Sequence, residues 1–529
     1  MNRFFIHWRQ QFCELLEPEV LPVAFQRAIL GLIVVFMLSV HVWTMKAPAL
    51  DRTQWKEIDY IEISTNFWHH GFNFFKPEVS WPATPPRVTA MEFPLVPYAA
   101  SLLYGLWGFN VYTVRLLPMV GFALMTIYIF RLARREVGPV VGLLAALASA
   151  IMPLYQSYGR FLFSDSLMVA FSVMTLFHFS EWMDHERFRD RFIAGASLSI
   201  ALALKLYPLY LLVPLSWIVF RRQGLKWSKY WGLLKLVLMA SILPALWFAY
   251  AVYLKYSSID LFYIFDDRKF ETLLMLSDPQ WYHTIAERLY GVVAGKLGLG
   301  LVLMGIAASA LHRRAALLFI YLLTILGYIG LVAQANQGAS YYQWPIMPPF
   351  SFFMALGAVA LIAGTFAVYD LWMTNVLVSA GRRAVICTLL GLLVVSIMVV
   401  KRRAEIFDRD SARPADEAKW ELAQVIKQER SSSARLLTVG EYALYAHGRH
   451  DLSPVLYYYA GMQGWSLEND EWNLSRVRSF IDQGAEFLAA EQVSKIPDSQ
   501  MFLDQLKKHY RIVYYEDDKM LFDLRRTLP

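Results

Sequence analysis

The chain has 529 residues and a net charge of +7, with 57% hydrophobic and 18% charged residues, where ordinary globular chains carry about 45–50% and about 25%. That balance excludes an ordinary soluble enzyme and points to a polytopic membrane protein. Because the basic residues cluster at the ends of apolar runs, the positive charge reads as membrane topology and not as a nucleic-acid surface. Two cysteines, Cys13 and Cys387, offer no disulfide framework and no zinc-ligand spacing.

In chain order, apolar runs predict about eleven membrane spans, near 28–45, 114–133, 138–156, 165–182, 191–206, 207–220, 230–254, 288–311, 315–334, 346–368 and 384–401. The first run lacks a small-residue cleavage site and reads as a retained span. The run "PLVPYAASLLYGLWG" (94–108) is short and opens on two prolines, so it is predicted to lie in the membrane interface. Basic clusters "RLARR" (131–135), "ERFRDR" (186–191), "RRQGLKWSK" (221–229), "HRR" (312–314) and "GRR" (381–383) then fall on one side. The positive-inside rule makes that side cytoplasmic, with the N-terminus inside and the C-terminus outside.

Four segments share the outer side in this topology. They are the loop 46–93 with its interfacial helix, "QSYGRFLFSD" (156–165), the loop 255–287, and "QANQGASYYQWP" (334–345). From about Arg402 charged residues become common and no apolar run reaches membrane length. There "ARLLTVG" (434–440) predicts a strand, "SRVRSFIDQGAEFLAA" (475–490) a helix and then a strand, and "HYRIVYYEDDKMLFDL" (509–524) a hairpin. The predicted organisation is a transmembrane catalytic domain over 1–401, with a first outer loop and interfacial helices over 46–113. A small α/β extramembrane domain follows over 402–529.

Three acids fall on the outer side by an argument that never used them: Asp59, Glu92 and Asp165. Each admits a plain structural reading, Asp59 and Asp165 as helix N-caps and Glu92 as an acid near a helix N-terminus. Their convergence also suits a reaction in which a hydroxyl loses its proton while a phosphate departs. One carboxylate would be the general base, and another would orient the acceptor or hold a metal ion. Lys205, at the outer end of a span, either snorkels to the interface or faces a lipid phosphate. Arg160 and Arg115 admit the same pair of readings. Tyr341 and Tyr342 suit an aromatic belt or a substrate contact. His69 and His70 are adjacent and do not share a helix face, which argues against a joint metal site.

These residues together resemble the GT-C membrane glycosyltransferases, on the branch of the protein O-mannosyltransferases and the lipid A aminoarabinose transferases. The matching stretches are "WKEIDYIEISTNFWHHGFNFFKPEVSW", "EFPLVPYAASLLYGLWGFNVYTVRLLP", "GRFLFSDSLM", "ALKLYPLYLL" and "SYYQWPIMPP", spread over roughly residues 25–370. The resemblance implies an inverting transfer of a sugar from a polyprenyl-phosphate donor to a glycan, lipid or protein hydroxyl at the periplasmic face of the bacterial inner membrane. It implies Asp59 as the catalytic acid of the first loop, with Glu92 and Asp165 as further site acids. It implies Lys205 facing the carrier phosphate and Tyr341, Tyr342 and Pro345 as the "YY..P" element. The acids themselves leave two readings open: Asp59 and Asp165 hold a divalent cation, Mg or Mn, or the acids work without one. Two positions depart from the pattern: Ala339 stands where relatives often have His, and Phe93 where the aminoarabinose branch tends to have Lys, which argues against aminoarabinose transfer. The alternatives are a transporter or flippase of lipid-linked sugars and a non-catalytic scaffold. The transporter is disfavoured because the ionisable residues gather at one face and no internal repeat is apparent.

Overall fold

The structure is a computed structural model and describes residues 2–17, 19–42, 45, 54–260, 262, 275–312, 315–372, 379, 381–383, 385–386, 388–390, 417–431, 434–440, 454–467, 471–491, 499–516 and 518–528. The chain forms two compact units that do not follow chain order. Residues 1–45, 115–249 and 265–408 make one; residues 46–114, 250–264 and 409–529 make the other.

The first unit is helical. The helix Val23–Val42 buries only a stripe, Gln26, Ile29, Ile33, Met37 and His41, while Leu32 and Val35 are exposed. An aliphatic outer face is costly in water and is the natural surface of a helix in lipid. The helix Pro139–Ile151 is instead buried along nearly its whole length, so its small residues serve packing on all sides. Among the described residues four helices are long and apolar enough to cross a membrane: Val23–Val42, Val111–Glu136, Trp231–Ser257 and Ser340–Asp370. A bent pair, Pro279–Val293 and Gly295–Ser309, would make a fifth.

The eleven expected runs map onto helices of uneven length. The run 138–156 breaks at Met152 between Pro139–Ile151 and Pro153–Tyr158. The run 207–220 opens with a tight turn, Tyr207–Leu211, before the helix Leu212–Gln223. Pro153 and Pro208 stand at these joints, where a missing backbone N–H prevents one continuous helix. The run 288–311 bends by 103° at Gly295, whose φ of +76° a side chain would strain. Most of 384–401 lies outside the described residues.

Two glycines let backbones touch. A Cβ on Gly305 would stand 1.9 Å from the Phe353 carbonyl oxygen, and one on Gly357 would stand 2.0 Å from that of Leu301. The helices Gly295–Ser309 and Met347–Trp372 therefore pack through paired small residues, as membrane helices commonly do.

The basic clusters at 131–135 and 221–229 meet at one end of this unit. Arg135 binds Glu181 at 2.7 Å and Glu136 at 2.8 Å, and also reaches Asp184. Arg221 binds Glu136 at 2.6 Å and Arg222 binds Asp184 at 2.5 Å. The helix Asp165–His185 has 21 residues, about 30 Å of rise, so Asp165 stands roughly a hydrocarbon thickness from this ion network.

In the second unit the helices Gln54–His69 and Leu95–Trp107 accompany a five-stranded sheet. Its strands are β1 Arg435–Gly440, β2 Gln463–Ser466, β3 Ala485–Glu491, β4 Tyr510–Glu516 and β5 Lys519–Thr527, in the order β2-β1-β3-β5-β4. The pairs β1–β2 and β1–β3 are parallel, while β3–β5 and the hairpin β4–β5 are antiparallel. The expected strand at 434–440, the helix and strand within 475–490 and the hairpin within 509–524 all form. Their core gathers Leu437, Trp465, Leu488, Leu506 and Phe522.

Candidate functional site

Two clusters of polar side chains are buried, one in each unit. In the helical unit, Asp165 is the first residue of its helix, so the N-cap position falls to Ser164, whose side chain makes no capping bond. The Asp165 Oδ1 accepts a 2.7 Å hydrogen bond from Lys205 Nζ, and both side chains are buried. Lys205 ends the helix Phe188–Leu204 with an extended backbone, φ −160°. The chain turns there and the ammonium is buried against Asp165, so of the two readings of Lys205 the snorkelling one does not hold. The ammonium lies 5.7 Å from the centre of the Tyr207 ring, 5.6 Å from Tyr341 and 5.3 Å from Tyr342, within cation–π range of all three.

The tyrosine pair comes from the short 3-10 helix Ser340–Ile346. Its rings stack at 4.7 Å, and the Tyr342 carbonyl accepts from the Tyr328 hydroxyl at 3.0 Å. Arg160 is buried in the turn before Asp165, with its guanidinium 5.3 Å from the Phe161 ring. Phe161 packs on Phe163, and Phe163 on Tyr341, so Arg160 joins the same aromatic wall. Arg115, also buried, donates to the Met45 carbonyl at 2.8 Å, which is a structural bond. Four of the residues expected at a site therefore converge: Asp165, Lys205, Tyr341 and Tyr342, with Arg160 alongside. Tyr207 completes the set; its position two residues after Lys205 in an aromatic segment was the available signal.

In the second unit Asp59 lies well inside the helix Gln54–His69, which removes its reading as an N-cap. Asp59 is completely buried, and neither carboxyl oxygen has a hydrogen-bond partner. Lys56 and Glu62, at i−3 and i+3, share its helix face and are also buried. Glu92 lies before the helix Leu95–Trp107, whose N-terminus has no side-chain cap. Its carboxylate accepts from the Tyr60 hydroxyl at 3.1 Å and sits 3.7 Å from Lys56 Nζ. Glu92 thus pairs with Lys56 and Tyr60.

Burial drives the electrostatics of this cluster. A carboxylate removed from water without full hydrogen bonding favours its neutral form. Burial first, and then the neighbouring Glu62, raise the Asp59 pKa well above its ordinary value; Trp81 and Lys56 oppose the rise. Burial raises Glu62 from 4.5 to about 8, against a backbone hydrogen bond from Ser80. Glu62, Lys56 and Trp81 were not singled out from the sequence. The first two were legible in the i±3 spacing around Asp59, whereas Trp81 required the fold.

The paired histidines do not act together: His70 binds Glu78 at 2.9 Å, and both rings are exposed. Among the described residues no three His, Cys, Asp or Glu side chains converge as a metal site.

Residues 88–248 match the family described as dolichyl-phosphate-mannose-protein mannosyltransferase. That stretch contains Glu92, Arg160, Asp165 and Lys205, while Asp59 and the tyrosine pair lie outside it. No curated protein matches the chain in sequence. Among solved structures the chain is similar to ArnT from Cupriavidus metallidurans bound to undecaprenyl phosphate. The TM-score is 0.59 and the identity 15%, over 93% of this chain and 98% of that one. It is also similar to the oligosaccharyltransferase of Archaeoglobus fulgidus tethered to an acceptor peptide that contains the NVT sequon. There the TM-score is 0.54 and the identity 12%, over 95% of this chain and 74% of that one. The resemblance read from the sequence thus holds: the chain has the fold of the GT-C membrane glycosyltransferases, and over residues 88–248 it carries the pattern of their protein mannosyltransferase branch.

Proposed function

We propose that the chain is an inverting glycosyltransferase of the bacterial inner membrane. It moves a sugar from a polyprenyl phosphate to a hydroxyl acceptor on the periplasmic side. The observation that carries this reading is the buried Lys205–Asp165 pair beneath three phenol rings. A membrane enzyme that uses a lipid-linked donor must stabilise a phosphate leaving group where water is scarce. A buried ammonium with phenol donors around it suits that charge. The relative bound to undecaprenyl phosphate shares this fold, which supports the choice of carrier.

In the reaction the bond between the anomeric carbon and the phosphate oxygen breaks, and its electron pair stays on the phosphate near Lys205. The acceptor oxygen bonds to the anomeric carbon from the opposite face, and its proton passes to the Asp59 carboxylate. A carboxylate held high in pKa is a stronger base once ionised, so transfer gains as pH rises through the Asp59 titration. Glu92 and Lys56 form the charged surround of that base. No step here is routed through a divalent cation; if Mg²⁺ or Mn²⁺ takes part, Asp59 and Asp165 remain the carboxylates proposed for it. A transporter reading has no comparable support, since nothing in it calls for an unpaired carboxyl buried as Asp59 is.

The test is turnover. Purified protein in lipid nanodiscs is given a panel of polyprenyl-phosphate sugars with glycan, lipid and peptide acceptors, and free polyprenyl phosphate is measured. The wild type is expected to release it, and Asp59→Asn to slow release by about 10²–10⁴-fold, the usual contribution of a general base. Equal release by both proteins would remove Asp59 from the mechanism. No turnover of any donor would remove the transferase reading.

A further inference from the structure

The end of the helical unit that carries the Arg135 ion network holds more cations than its acids can meet. Those acids are already engaged. Glu136 binds Arg135 and Arg221, Asp184 binds Arg135 and Arg222, and Glu181 binds Arg135. Asp190 is buried and binds His178 at 2.7 Å. Arg187, Arg189 and Lys226 lie exposed on the same two segments and take part in none of these pairs. Among the described residues of 181–191 and 221–230, Glu186 is the acid left to oppose them.

The same segments expose large apolar side chains. Phe188, Leu225 and Trp227 are 78, 80 and 77% exposed, and Phe192 and Trp231 are exposed as well. The rings of Phe188 and Phe192 stack at 6.3 Å, and those of Trp227 and Tyr230 at 6.5 Å. The segments adjoin one another. The Arg191 guanidinium lies 5.2 Å from the centre of the Trp182 ring, and a Cβ on Gly232 would stand 3.2 Å from the same ring. A Cβ on Gly195 would stand 3.8 Å from Leu236. Trp231 opens the stretch Trp231–Ser257, which is long and apolar enough to cross a membrane, and Leu238 and Met239 along it are exposed. The aromatic patch therefore runs on into a surface suited to lipid, and tryptophan at the end of a span marks the headgroup level. Cations in excess of their acids at that level are complementary to lipid phosphates.

We propose that Arg187, Arg189 and Lys226, with Phe188 and Trp227 between them, form a docking surface for anionic phospholipid headgroups. It lies at the end of the Asp165–His185 helix away from the Lys205–Asp165 pair. The lipid phosphate supplies the negative charge that this end of the protein lacks, and the aromatic rings rest against the upper acyl chains. An acidic protein would also meet the cations, but it gives no reason for tryptophan in line with a lipid-facing helix.

The test uses the full chain in nanodiscs of phosphatidylcholine mixed with phosphatidylglycerol, with bromine on the acyl chains of one lipid or of the other. Bromine quenches indole fluorescence on contact, so the quenching that is lost in Trp227→Phe belongs to this surface. At equal mole fraction, that part is expected to be several-fold larger in the wild type when phosphatidylglycerol carries the bromine, and to shrink as salt is raised. Replacing all three cations, by Arg187→Gln, Arg189→Gln and Lys226→Gln, is expected to make the two lipids quench alike, since each cation near a membrane surface contributes about fivefold to binding. Lys226→Gln alone is expected to lower the preference in part, and it serves if the triple variant does not fold. Equal quenching by the two lipids in the wild type overturns the proposal, as does a preference that survives these substitutions in folded protein. Quenching of Trp227 by neither lipid overturns it as well and leaves the cations to an acidic protein.

Discussion

Asp59 and Glu62 sit one helical turn apart, both buried, both pushed toward their neutral forms. Such a group makes stability depend on pH with a definite sign. Glu62 has a folded-state pKa of about 8 against an ordinary 4.5. The protonated form is therefore favoured in the folded protein, and the stabilisation present below the ordinary value is lost as pH rises through about 8. Glu62→Gln, which leaves the Asp59 dependence in place, should lose less melting temperature in detergent between the acid and alkaline ends of that window than the wild type does; parallel curves would contradict the assignment. At this scale the sequence was only partly readable. Asp165 and Lys205 were legible because the topology placed both on the outer side, and they form an ion pair. Glu62 and Lys56 carry the same helix-face signal around Asp59 and went unremarked because the cap reading placed Asp59 at the helix start, where the i±3 neighbours mean little. Trp81 was invisible, since its place is set by a loop that is fastened to residues far along the chain.

The elements themselves were easier to read, because apolar runs in lipid need no partner to declare themselves. The ends of most expected spans agree with helices, including Val111–Glu136 and Asp165–His185. What hydropathy could not show is where a run breaks, as it does at Met152 and at Gly295, since both sides of a break are equally apolar. Nor could it show which glycines hold helices together. Gly305 lies against the Phe353 backbone with no room for a methyl group, while Gly300 has nothing within 4 Å of a Cβ. Gly305→Ala should therefore force the two helices apart and cost about 1–3 kcal/mol, seen as a lower melting temperature in detergent. Gly300→Ala should be neutral or slightly stabilising through its better helix propensity. Equal melting of the two variants would contradict the packing.

At the scale of the molecule, the basic clusters at 131–135 and 221–229 gather at one end of the helical unit, and the Lys205–Asp165 pair lies at the other end of the Asp165 helix. That separation along one helix agrees with the sidedness expected from the positions of the basic clusters and of Asp165. The composition of the compact units was not legible, because the first loop and the C-terminal strands join through single contacts such as Ala83 with Gly464, and no local pattern announces such a contact. The account depends most on the claim that Lys205 receives a lipid phosphate. It is tested by native mass spectrometry of the purified protein with undecaprenyl phosphate, comparing the wild type with Lys205→Ala. Retention of the lipid by the wild type, and at least about tenfold weaker retention by the variant, as befits loss of a charge-assisted contact, is the expected result. Equal retention by both would contradict it.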